Sequence, residues 1–124
     1  MNNKEKKLLE QQMITTIIYL LTLFVSLSLT YNDILNLDDK YIYNDELAEK
    51  IGITNRTIVL VLTLSYLYIN YQNREIAKSK KKDLKFSNLQ LTASSLSTIA
   101  AIIVLYVVIS SGKYTVISAG NPNL

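Results

Sequence analysis

Cysteine and histidine are both missing from this chain of 124 residues. Their absence excludes disulfides, thiol nucleophiles, zinc sites built on thiolate or imidazole, and imidazole proton transfer near neutral pH. Arginine occurs only at Arg56 and Arg74, so most of the positive charge is lysine. Charge is also missing over long stretches. From Met13 to Leu29 and from Leu89 to Ser111 there is no Asp, Glu, Lys or Arg, and no glycine or proline either. Proton relays, voltage sensors and ion-coupled transporters place ionisable groups inside such runs, and transporters often break them with glycine or proline. None of that apparatus is present in these two runs.

What is there is greasy and arranged in three blocks. The first is LLEQQMITTIIYLLTLFVSLSLT, Leu8 to Thr30, and the third is LQLTASSLSTIAAIIVLYVVISS, Leu89 to Ser111. At about 1.5 Å per residue, either crosses a hydrocarbon core of about 30 Å as a helix. Apolar residues lie all round both helices rather than on one stripe, which separates them from a soluble amphipathic helix. The middle block, TIVLVLTLSYLYINYQ from Thr57 to Gln72, has 16 residues, roughly 24 Å as a helix. Its end is rich in tyrosine, a side chain that favours the headgroup level. A short span is tolerated by local bilayer thinning or by packing on neighbours. A strand in its place would leave backbone groups unsatisfied in lipid.

The blocks predict an all-α membrane protein with three transmembrane helices in a single membrane domain, residues 1–124. The spans fall at about 9–30, 57–73 and 88–111, with an outer loop at 31–56 and a basic cytoplasmic loop at 74–87. Charge sets the orientation. Nine of the 13 basic residues lie before the first span or between the second and third, and four lie in the other two segments. The positive-inside rule then puts the N-terminus in the cytoplasm and the C-terminus outside the cell membrane. A lysine-rich start followed by an apolar run also has the form of a secretory signal. Its uncharged stretch is longer than a signal core of about 7–15 residues, so an uncleaved signal-anchor is expected. Abundant Asn, Lys, Ile and Tyr, whose codons are AT-rich, suggest a bacterial source of low GC content.

The stretch DELAEKIGITNRTI, Asp45 to Ile58, resembles the front half of a helix-turn-helix. A recognition helix needs polar side chains for the major groove, and the helix that follows here is IVLVLTLSYLYIN. Base reading is therefore excluded for it, and nucleic acid is not an expected partner. The stretch reads instead as a short extracytoplasmic helix before the second span. Asn44 or Asp45 caps its start, Gly52 stops it, and Thr54 or Asn55 caps the span that follows. The acids nearby lack the central glycine and ligand pattern of an EF-hand.

Two groups of residues stand out as sites. Ala93, Ser97 and Ala101 recur every four residues, and small side chains at that spacing let membrane helices approach closely. Lys78, Lys80, Lys81, Lys82 and Lys85 form a basic run suited to anionic lipid headgroups. No nucleophile and base fall together, so a protein that is not an enzyme, with no cofactor and no metal, is expected. The expected partners are a bilayer with anionic headgroups and either further copies of the chain or another membrane protein. Two functional classes fit. One is a contact-making protein, an accessory subunit or an immunity-type protein. The other is a pore former whose gross layout resembles that of holins, without any shared motif.

Overall fold

The computed structural model describes residues 3–112. It consists of α1 (Asn3–Asn36), α2 (Asp45–Ser79) and α3 (Lys85–Ser111). Each carries an apolar window long enough and greasy enough to cross a membrane. The helices contain 34, 35 and 27 residues, lengths of roughly 51, 52 and 40 Å. All exceed the hydrocarbon core of about 30 Å, so their ends project past it.

Local chemistry fixes where the helices start and stop. Asn44 caps α2, its Oδ1 accepting the Leu47 N–H at 2.8 Å. Asp83 Oδ1 accepts the Lys85 N–H at the start of α3. Both connections open with the same C-terminal turn. Asp39 (φ 56) and Lys81 (φ 55) adopt the left-handed conformation. The next residue in each case, Lys40 or Lys82, donates its N–H back to Leu35 O or Ala77 O. This is the Schellman geometry, here built without the usual glycine. Gly112 ends α3 in the left-handed region, with φ 69.

α2 is the central element. It packs along both α1 and α3, while α1 and α3 barely touch each other. The buried residues keep a seven-residue period in every helix. In α1 they include Thr15, Thr22 and Leu29; in α2, Ala48, Asn55, Leu62 and Ile69; in α3, Ser94, Ala101 and Val108. A seven-residue period keeps one seam of a helix on its neighbour through slight left-handed supercoiling. The seam is inverted in polarity relative to a soluble bundle. Thr15, Thr22, Asn32, Asn55, Ser94 and Thr98 are buried, whereas Phe24, Leu27, Leu96, Ile103 and Tyr106 are exposed. Only 17–22 % of each apolar window is buried. Lipid is the solvent that matches this surface, and small or hydroxylated residues are what membrane helices place between themselves.

Two features differ from the sequence expectation. The stretch before the second span is not a separate short helix, because Asp45–Ser79 is one continuous helix through Gly52. Gly52 is buried, set between Ala48 and Asn55 on the seam. Glycine in a helix interior costs about 1 kcal/mol relative to alanine, yet the helix continues through it. The connections are also short. The α1–α2 connection covers 37–44 and the basic α2–α3 connection 80–84, since the helices run well past the apolar blocks.

Candidate binding groove

Because α1 and α3 both lean on α2 and barely touch each other, a groove opens between them with α2 as its floor. It encloses about 600 Å³. Tyr19 forms the α1 wall, Ala93, Ser97 and Val104 stand on the α3 wall, and Leu62 and Tyr66 lie on the floor. Its lining is mostly apolar, with Arg56 at one end and Asn70 and Gln90 at the other.

Hydrogen bonds across helices hold the groove's frame. The Thr16 hydroxyl and the Tyr66 hydroxyl lie 2.6 Å apart and join α1 to α2. Further along the same interface, Asn55 Nδ2 donates to Ser26 Oγ at 3.1 Å and to Thr22 O at 3.3 Å. On the other side, Asn70 Nδ2 donates to Ser94 Oγ, joining α2 to α3. Arg74 extends that seam by donating from Nε to Asn88 Oδ1 at 2.6 Å, and it also pairs with Glu75. Beyond the C-terminal end of the α1 apolar run, the fully buried Asn32 accepts the Ile42 and Tyr43 N–H groups. That carboxamide ties the α1–α2 connection to α1.

The small-residue stripe lands partly off the seam. Ala101 is buried against α2, while Ala93 and Ser97 are exposed on the groove wall. The reason is geometric. The buried seam of α3 advances by alternating steps, through Leu91, Ser94, Thr98, Ala101, Leu105 and Val108. A strict four-residue step drifts about 40° around the helix each time and cannot follow it. Ser94 and Thr98, which flank the stripe, occupy the interface instead.

Lys78, Lys80, Lys81, Lys82 and Lys85 are all exposed at the end of the molecule that also carries the start of α1. Lys80 forms an ion pair with Glu5, which shows that α1 and α2 run antiparallel with these ends together. The hydrogen bond from Lys80 holds the Glu5 carboxyl below the usual glutamate range. Lys85 Nζ sits 5.9 Å from the Phe86 ring centre.

Sequence reading missed Asn55, Asn70 and Asn32 as organising residues. For Asn55 the signal was present as spacing, whereas Asn32 and Asn70 fall off the seven-residue series. Asn55 lies seven residues before Leu62 and fourteen before Ile69, a period the seam obeys. Among the described residues no cluster of acids forms a metal site.

These features define a small all-α, multi-pass membrane protein with three long apolar helices. No protein-family model matches the chain, and no curated protein or solved structure does either.

Proposed function

We propose that this is a non-catalytic protein of the cell membrane that works by contact, as an accessory subunit or an immunity-type protein, through the groove between α1 and α3. The observation that carries this reading is the surplus small-residue wall. Ala93 and Ser97 are not consumed by packing within the chain and stand open on the groove. Small residues on a lipid-facing wall leave room for another molecule to come close. The hydroxyls nearby are committed to structure. Thr98, Ser95 and Thr92 donate to carbonyls one turn back in α3, at 2.9 Å each. Hydroxyls bound to their own helix support packing over the lining of an aqueous pore. The basic end faces the cytoplasm by the positive-inside rule, with the exposed lysines against anionic headgroups.

The test is a photo-crosslinking side chain introduced at Ser97, compared with one at the outward-facing Ile103, in intact membranes. The reading expects a discrete adduct from position 97 and a diffuse lipid background from position 103. Indistinguishable patterns at the two positions overturn it.

A further inference from the structure

We infer that the groove holds one phospholipid, with its phosphate on Arg56 and one acyl chain lying between α1 and α3; this deepens the contact reading and rests on it. The two arginines of the chain are the starting point. Both sit on α2, 18 residues apart, which is about 27 Å along a helix and close to the thickness of a hydrocarbon core. They therefore mark the two boundaries of the apolar region. Arg74 is satisfied by Asn88 and Glu75. Arg56 is partly buried at the mouth of the groove, and no hydrogen bond or ion pair holds it among the described residues. Among the described residues no carboxylate pairs with Arg56, and Glu46 is taken by Lys50.

A guanidinium left open at the headgroup level is matched by a phosphate diester, whose oxygens accept its paired N–H donors. Below Arg56 the lining turns apolar, with Val59, Leu62 and Val104. From Arg56 to Tyr66 is ten residues, about 15 Å, the depth of one leaflet of a core about 30 Å thick. Past Tyr66 the groove becomes polar at Asn70 and Gln90, where a hydrocarbon chain has no reason to continue. The enclosed volume, about 600 Å³, lies within the usual range of small-ligand sites. The competing occupant is α3 of a second copy, whose small residues suit close approach. That helix carries no carboxylate to answer Arg56.

The experiment reconstitutes the full chain into bilayers of equal parts phosphatidylglycerol and a phosphate-free diglucosyl diacylglycerol. Lipids retained after gentle extraction are then counted by native mass spectrometry. One retained phospholipid per chain is expected, with the glycolipid lost. Arg56→Gln lowers phospholipid retention by about tenfold, the worth of one charged hydrogen-bonding contact. Ser97→Leu narrows the groove and lowers retention, while the outward-facing Ile103→Ala leaves it unchanged. Circular dichroism confirms that each variant remains helical. Equal retention of both lipids, or retention indifferent to Arg56→Gln and Ser97→Leu, overturns the assignment. If Ser97→Cys instead forms a disulfide between copies, the groove is a contact site but its occupant is a helix. If neither lipid nor helix is found there, the contact reading falls with it.

Discussion

Polar side chains between the helices hold this protein together, and their worth is measurable one at a time. Asn55 is buried and donates to two groups on α1. Hydrogen bonds between membrane helices average about 0.6 kcal/mol and rarely exceed about 1.7. Asn55→Ala is therefore expected to destabilise by about 1 kcal/mol, read from the thermal unfolding midpoint in detergent. Lys81 acts in the opposite direction. It holds a left-handed conformation that suits glycine, and the strain is about 1 kcal/mol. Lys81→Gly should raise stability by up to that amount in the same assay. Glu5 adds a pH signature. Its carboxyl titrates below the ordinary value of 4.5 because Lys80 stabilises the anion. The ion pair thus contributes fully above the unfolded glutamate value and fades as pH falls through the lowered one. Acid titration of the unfolding midpoint should show that loss in the wild type, and Glu5→Gln should flatten it.

At the scale of elements, the α3 interface separates two positions that look alike in sequence. Ala101 lies on the seam with α2, whereas Ala93 faces the groove. Ala101→Leu overpacks the seam and should cost about 1–3 kcal/mol. Ala93→Leu should leave stability nearly unchanged. Comparison of the two by thermal unfolding tests which set of residues packs against α2. The same contrast shows what was legible beforehand. Helix existence was readable, since uncharged runs longer than a bilayer's thickness leave few alternatives. The interface was not, because a four-residue count follows one helix alone, while a seam is set by two helices winding around each other. Gly52 was misread for a related reason. Glycine stops isolated helices, but here it sits on a buried seam that continues past it. Helix ends were also obscured, because Asp45–Ser79 extends through polar sequence on both sides of the apolar block.

For the molecule as a whole, the distribution of polarity is the central observation. Buried positions are half hydroxyl or amide, while many leucine, isoleucine, valine and aromatic side chains of the apolar blocks stand exposed. Water would drive those side chains inward at a gain of about 1.5–3 kcal/mol for each large one, so the arrangement belongs in lipid. The groove follows from the same architecture, since one central helix carrying two neighbours leaves a cleft between them. That cleft was invisible in the sequence, because it depends on which helix pairs form. The lysines at one end were legible as a group, but the partner of Lys80 was not, since Glu5 lies 75 residues away.

The most direct test is a scan of single spin labels from Leu91 to Val108, on cysteines introduced into this cysteine-free chain and reconstituted in bilayers. Packing of α3 on α2 should immobilise labels at Ser94, Thr98, Ala101, Leu105 and Val108 and leave high oxygen accessibility at Leu96, Ile99, Ile103 and Tyr106. A water-soluble relaxer should have little access across this stretch. Free access for that relaxer along α3, or immobilisation centred on Ala93 and Ser97, would contradict it.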